Sequence, residues 1–165
     1  MNNPRIEIKK ILDNLVENWP DERYDNLNKQ DKGFLLAHGS CGTFAKEAIE
    51  RLKPVVDPKD IIVIEWRNKD MKAYLHTCFI IYGRLYDSNV TEGYDLCGGR
   101  EPLNDLFLCY ASRSKFVYGD CGYIQDKDTN KVIFNPWPRE GIVYMPYIEY
   151  RYSGVEYLNK NITSQ

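Results

Sequence analysis

The sequence has no cluster of basic side chains. Its 22 Lys and Arg residues are spread among 24 Asp and Glu residues, and the net charge is −2. Proteins that bind nucleic-acid phosphates or anionic membrane surfaces usually concentrate positive charge on one face. We therefore expect neither a nucleic-acid partner nor a membrane partner for this chain.

Long apolar runs and closely spaced cysteines are missing as well. The longest aliphatic run is Ile61-Ile62-Val63-Ile64, which is far too short to span a membrane, and the charged start of the chain does not match a secretory signal. The 5 cysteines are an odd number without a C-x-x-C pair, which favours a reducing, cytoplasmic compartment over a disulfide scaffold. Because the cysteines are widely spaced and the chain has 2 histidines, we expect no metal site and no cofactor.

The residues that are present predict one α+β domain. The 165 residues, 43% of them hydrophobic, are enough for a substantial core in a single domain over residues 1–165. Apolar residues recur at helical spacing over residues 4–19 and 41–52, whereas the polar stretch 21–32 has no period and is predicted to be a solvated connection. We expect the two helices to pack on a largely antiparallel sheet. Its predicted strands are 61–66, 72–82, a strand beginning at 85, 106–110, 115–125, 131–134 and 142–152.

Cys41 stands at the predicted start of the second helix, with Ser40 as its N-cap. A thiol reacts as the thiolate, and the N-terminal end of a helix favours that anion. Gly39 and Gly42 flank the Ser-Cys pair and leave room for a substrate to approach. The alternative is a small buried residue that merely fills the first helical turn. Cys78, by contrast, lies in an apolar strand and is expected to be a core residue.

His76 lies in the long predicted strand, and alternation puts it on the same face as Cys78. If a two-residue turn at Tyr82-Gly83 or at Gly83-Arg84 joins this strand to the next, Asp87 emerges on that face too. In the first register Cys78 faces Asp87, and Asp87 is the diagonal neighbour of His76. A thiol on the second helix comes within reach if that helix packs on the same face. The alternative is a core histidine beside an unrelated turn aspartate.

Two segments of the chain resemble the papain-like cysteine peptidase superfamily in its transglutaminase-like form. They are G-S-C-G-T-F-A from Gly39 to Ala45 and H-T-C-F-I-I-Y-G-R-L-Y-D from His76 to Asp87. In that family the nucleophile opens a helix, and a later strand, turn and strand carry the histidine and the aspartate. The resemblance implies a papain-like fold with Cys41 as nucleophile, His76 as general base and Asp87 as the residue that orients it.

The sequence departs from the family pattern in one place and leaves another open. The aromatic residue that often follows the histidine in transglutaminases is replaced by Thr77 and Cys78, which argues against assuming protein crosslinking. The family also takes an oxyanion-hole group from a residue upstream of the cysteine. The backbone N–H of Cys41 is one donor, because a helix N-terminus stabilises a developing oxyanion. The candidate side chains are Trp19, Tyr24, Gln30 and His38.

These features predict a papain-like thiol hydrolase domain: a cysteine peptidase, amidase or acyltransferase that forms a thioester acyl-enzyme on Cys41. We expect it to act on an amide, isopeptide or ester bond in a peptide, a protein or a small amide. The expected substrate-binding residues are His38, Gly39, Ser40 and Gly42. A second hypothesis is a catalytically silent binding or inhibitory module with the same fold, acting through a tyrosine-rich surface. The tyrosines of that surface are Tyr110, Tyr118, Tyr144, Tyr147, Tyr150 and Tyr152.

Overall fold

The computed structural model describes residues 3–37, 40–68, 74–95, 116–118, 124–126, 132–134 and 147–160. In this part of the chain the fold is α+β, with four α-helices and a five-stranded antiparallel sheet. The helices are α1 (Pro4–Glu17), α2 (Lys29–Ala37), α3 (Cys41–Leu52) and α4 (Gly154–Asn159). None of these helices combines the length and the apolar composition needed to cross a membrane.

The strands of the main sheet are β1 (Ile61–Asn68), β2 (Tyr74–Ile81), β3 (Arg84–Tyr86), β4 (Tyr94–Asp95) and β8 (Tyr147–Ser153). Their order across the sheet is β4-β3-β2-β1-β8, and every neighbouring pair is antiparallel. The expected antiparallel sheet is therefore confirmed for these five strands.

Three further strands form a sheet of their own. These are β5 (Phe116–Tyr118), β6 (Ile124–Asp126) and β7 (Val132–Phe134). The prediction that all strands extend one sheet is therefore wrong. The run 115–125, predicted as one strand, contains two that pair with each other in antiparallel fashion. The predicted strand 106–110 lies outside the described residues.

Local sequence signals explain where α1 and α4 begin. Asn3 is the N-cap of α1, its side chain accepts a backbone N–H of the first turn, and Pro4 is the first helical residue. At α4, Ser153 and Glu156 form a reciprocal capping box. Ser40 occupies the N-cap position of α3 as predicted, but its side chain makes no capping hydrogen bond.

Helix α2 begins inside the stretch predicted to be a solvated connection. Two of its charged residues, Asp31 and Lys32, are buried. The Lys32 ammonium donates to the carbonyl of Glu17 at the end of α1, at 3.0 Å, and the Asp31 carboxylate accepts the side-chain amide of Asn28, at 2.8 Å. These polar partners allow the charged residues to be buried, and a hydropathy pattern does not reveal them.

The hydrophobic core joins α1 and α3 to one face of the main sheet. On the sheet it includes Val63, Phe79 and Ile81, but neither His76 nor Cys78. Alternation along β2 accounts for this division, since His76 and Cys78 lie on the opposite face from Phe79 and Ile81. Helix α3 therefore reaches His76 with its first turn, and not by packing along the His76 face as the sequence suggested.

A tight turn at Tyr82 and Gly83 connects β2 to β3. Both residues have positive φ values, 49° and 75°, which is the backbone conformation of a two-residue type I′ hairpin turn. The pairing of Phe79 with Tyr86 confirms the first of the two predicted registers. This register brings Asp87, just beyond β3, to the face of the sheet that carries His76.

Candidate active site

Cys41 is the first residue of α3 and lies against the ring of His76. A side-chain hydrogen bond joins the thiol to the imidazole. Cys41 keeps 6% of its surface exposed, whereas His76 is completely buried. Cys41 is therefore the residue of this pair that an incoming molecule can touch.

Asp87 contacts the other side of the imidazole. The Nε2 atom of His76 lies 2.8 Å from Oδ2 of Asp87, and both side chains are buried. The second carboxylate oxygen, Oδ1, accepts the backbone N–H groups of Asn89 and Val90, each at 2.9 Å. These turn bonds fix the carboxylate so that Oδ2 is directed at the histidine.

The carbonyl of Ala37, the last residue of α2, lies 3.2 Å from Nδ1 of His76. A carbonyl oxygen can only accept a hydrogen bond, so this contact requires a proton on Nδ1. The contact with the ionised Asp87 requires a proton on Nε2. Because both ring nitrogens face acceptors, the surroundings of His76 favour the doubly protonated imidazolium.

The electrostatic balance at His76 agrees with this geometry. Burial lowers the pKa of His76, but the hydrogen bonds with Asp87 and Cys41, together with the charges of these partners, outweigh burial and raise the pKa from 6.5 to about 10. His76 therefore remains protonated through neutral pH. The adjacent Cys41 thiol can supply the second proton of this imidazolium and is then left as the thiolate.

The ring of Trp66 also lies beside the imidazole, a contact that the sequence pattern does not predict. Its ring is parallel to that of His76, with 6.2 Å between centroids and 6° between planes, and it is completely buried. The indole N–H donates to Oε1 of Glu149 at 3.2 Å. Trp66 pairs with His76 on one side and with Glu149 on the other. His76, Trp66 and Glu149 become neighbours only when the three strands pair in this register, so their contact cannot be predicted from the sequence alone.

Ser40, the residue that precedes Cys41, contacts Tyr24. A hydrogen bond joins their hydroxyl groups, which explains why the Ser40 side chain does not cap α3. Burial raises the pKa of Tyr24, and the bond with Ser40 opposes that rise in part. Of the four side chains considered for an oxyanion hole, Tyr24 is thus linked directly to the residue that precedes Cys41.

The other oxyanion-hole candidates have different surroundings. The Trp19 ring packs on Phe44, with 5.7 Å between centroids, and belongs to the core. Gln30 borders a polar pocket of about 220 Å³ that also contains Ser88 and Asn89. Gln30 lies near the start of α2, about 10 Å along the helix axis from Ala37 at the rise of an α-helix.

The expected substrate-binding residues are only partly described. Ser40 is half-buried, and Gly42 is buried in the first turn of α3, where its carbonyl accepts the hydroxyl of Tyr157 at 3.3 Å. His38 and Gly39 lie outside the described residues.

Cys78 has the surroundings expected of a core residue. It is completely buried, and desolvation raises the pKa of its thiol well above the usual value, with the nearby charges of Asp87 and Cys41 adding to the rise. Cys97, Cys109 and Cys121 lie outside the described residues. Within the described ranges, His, Cys, Asp and Glu side chains form no group that could hold a metal ion.

Comparison of the chain with profiles of protein families, with characterised proteins and with solved structures finds no match. The function must therefore be inferred from the residues of the site and their chemistry.

Proposed function

We propose that this chain is a cysteine-dependent hydrolase or acyltransferase with a papain-like, transglutaminase-like core. The observation that carries the proposal is the position of the His76 ring, which contacts Cys41 on one side and Asp87 on the other. A buried imidazole between a thiol and a carboxylate is the arrangement that thiol-dependent acyl transfer requires. The order of elements supports the same core, since the cysteine opens a helix and the other two residues follow on a hairpin.

The reactive form is the ion pair in which the Cys41 thiol has given its proton to the His76 ring. Asp87 at Nε2 and the carbonyl of Ala37 at Nδ1 both stabilise the resulting imidazolium. The positive end of the α3 dipole stabilises the thiolate at the helix start. The product is a thiolate–imidazolium pair that is ready to attack a carbonyl carbon.

Acylation then follows from this ion pair. The Cys41 sulfur forms a bond to the carbonyl carbon, and the carbonyl oxygen becomes an oxyanion. When the tetrahedral intermediate collapses, the bond from carbon to the leaving nitrogen or oxygen breaks, and His76 gives its proton to the leaving group. The acyl group remains on Cys41 as a thioester.

Deacylation uses the neutral imidazole left by the first half of the reaction. His76 takes a proton from water or from an acceptor amine or alcohol, which attacks the thioester carbon and releases the Cys41 sulfur. Water as the acceptor gives hydrolysis, and another nucleophile gives acyl transfer. Peptides, proteins and small amides are all substrates compatible with this chemistry.

Two features near the start of α3 support stabilisation of the oxyanion. The backbone N–H of Cys41 belongs to the first turn, where the helix dipole is positive. Among the side chains, Tyr24 has the best position, because its hydroxyl is hydrogen-bonded to Ser40, next to the nucleophile.

The alternative of a silent binding module has less support. Of the late tyrosines whose side chains are described, Tyr150 is exposed, at 37%, but Tyr152 packs against Tyr157 at the edge of the core. Tyr110 and Tyr144 lie outside the described residues, as do the side chains of Tyr118 and Tyr147. A binding module, moreover, has no chemical use for a thiol, an imidazole and a carboxylate in mutual contact.

An activated ester tests the proposal. We would mix the protein with p-nitrophenyl acetate, follow release of p-nitrophenol and locate the acetyl group by peptide mass spectrometry. The expected result is a burst of p-nitrophenol equal to the amount of protein, with one acetyl group on the peptide that contains Cys41. Cys41→Ser should lose both the burst and the adduct.

Cys78→Ala is the matched control, because it removes the neighbouring buried thiol and leaves Cys41 in place. The control should keep the burst and the acetylated Cys41 peptide. An acetyl group that appears equally on lysines and other cysteines, with no dependence on Cys41, would refute the enzymatic proposal.

A further inference from the structure

Helix α4 contacts the first turn of the cysteine-bearing helix. The hydroxyl of Tyr157, a residue of α4 with 1% of its surface exposed, donates to the carbonyl oxygen of Gly42 at 3.3 Å. Gly42 follows Cys41 directly in the chain. This bond therefore links a helix that lies far along the sequence to the turn that carries the thiol.

The beginning of α4 is fixed against the start of β1. Its first residue, Gly154, packs so closely on the chain before β1 that an added Cβ would lie 2.5 Å from the carbonyl oxygen of Pro58. The capping box of Ser153 and Glu156 holds the same end in helical form. Tyr157 follows within one turn of this anchored end.

The end of α4 is fixed by an ion pair with a buried carboxylate. The ammonium of Lys160 donates to Oε2 of Glu65 at 2.8 Å, and Glu65 is completely buried. Its other oxygen accepts Nε of Arg67, also at 2.8 Å. The carbonyl of Lys160 in turn accepts the ammonium of Lys46, on α3, at 3.3 Å. Both ends of α4 are therefore anchored to other elements, and Tyr157 lies between these anchors.

The first turn of a helix is the part that its own hydrogen bonds constrain least. A bond from an anchored side chain to the Gly42 carbonyl limits the movement of that turn. Movement there changes the distance between Cys41 and His76, on which proton transfer depends.

We propose that Tyr157 is a positioning residue that holds the first turn of α3 so that the Cys41 thiol meets the His76 ring. The proposal rests on the thiol-dependent function proposed above. Tyr157 acts through Gly42 and does not itself touch the substrate or the reacting atoms.

The test compares Tyr157→Phe with Tyr152→Phe. The first variant keeps the buried ring and removes the hydroxyl that binds Gly42. The second removes a hydroxyl that contacts the Lys160 ammonium, at 3.3 Å, and not the first turn of α3. For each protein we would measure the rate of iodoacetamide labelling at Cys41 against pH, together with the thermal midpoint Tm.

Tyr157→Phe is expected to slow Cys41 labelling at about pH 6 by roughly threefold to tenfold, and to move the labelling profile to higher pH. Tyr152→Phe should leave the profile of the wild type, even if the two variants lose similar amounts of Tm. A merely structural role for Tyr157 would lower Tm without moving the profile.

Two further results would overturn the proposal in different ways. If the wild type labels fast at Cys41 and Tyr157→Phe has the same profile, the positioning role fails while the proposed function stands. If wild-type Cys41 labels no faster than an ordinary thiol, the proposed function fails and the positioning role fails with it.

Discussion

The carbonyl oxygen of Ala37 and the Nδ1 atom of His76 are 3.2 Å apart, and this contact determines how the site must be protonated. The opposite nitrogen of the same ring faces the Asp87 carboxylate at 2.8 Å. Neither acceptor can donate a proton when Asp87 is ionised, so each ring nitrogen must carry one. The structure thus favours a charged histidine in a fully buried position, next to a cysteine at a helix start.

The charged state of His76 predicts how stability depends on pH. Its pKa is raised from 6.5 to about 10 in the folded chain, so the folded state holds a proton that the unfolded state releases above about pH 6.5. This contribution to stability is complete below the unfolded pKa and is lost as pH rises towards the folded pKa. Urea unfolding should therefore give a free energy that falls between about pH 6.5 and about pH 10.

His76→Gln is the control for this slope, because the amide does not titrate. The variant should show a flatter dependence of unfolding free energy on pH over the same window. Equal slopes in the two proteins would mean that His76 is not held in its charged form.

Asp87→Asn should weaken the site while keeping its shape. The amide can still accept a hydrogen bond, but it has no charge to stabilise the imidazolium, so the pKa of His76 falls relative to the wild type. We expect the acetylation rate at Cys41 to drop roughly 100-fold. Stopped-flow measurement of the p-nitrophenol burst provides the rate.

Asp95→Asn is a matched substitution away from the site, because Asp95 is an exposed partner of Arg84. It should leave the burst rate unchanged. An equal loss in both variants would show that the effect of Asp87 is not specific to the histidine.

Gly33→Ala should disturb the turn that holds Asp87. A Cβ at this position would lie 2.3 Å from the carbonyl oxygen of Ser88, so one of the two backbones must move. We expect a loss of about 1–3 kcal/mol in the free energy of unfolding, together with slower labelling of Cys41. Ser88→Ala, which removes only the hydroxyl bond to the Gly33 carbonyl, should cost about 1 kcal/mol. A Gly33→Ala protein as stable and as reactive as the wild type would contradict the close packing.

In the folded protein, the Cys78 thiol should be alkylated far more slowly than the Cys41 thiol. Burial raises the pKa of its thiol well above the usual value, and no part of the residue is exposed. In the folded protein we expect alkylation of Cys78 to be very slow at about pH 7, and to become fast in urea. Peptide mass spectrometry of native and unfolded samples measures both rates. Rapid labelling of Cys78 in the native protein would show that this face of the sheet is open.

Much of the site was predictable because its residues are close in sequence or follow strand parity. The turn at Tyr82-Gly83 and the alternation along β2 together predict that Asp87 shares a face with His76, and the structure has that register. The periodic apolar residues of α3 likewise predict a helix that begins at Cys41.

The remaining features depend on contacts between distant segments. Helix α2 buries charged residues through bonds to other elements, so its sequence looks like a loop. The Ala37 carbonyl is a backbone group, which no residue type encodes. Trp66 and Tyr157 reach the site through strand pairing and helix docking, and these arrangements exist only after the chain has folded.

The pH dependence of iodoacetamide labelling at Cys41, in the wild type and in His76→Ala, tests the thiolate–imidazolium pair most directly. We predict that Cys41 is the fastest-reacting cysteine below about pH 7 and that His76→Ala slows it at least roughly tenfold at about pH 6. Circular dichroism should show that the variant remains folded. A Cys41 that is inert in the wild type, or that labels equally fast without His76, would contradict the account.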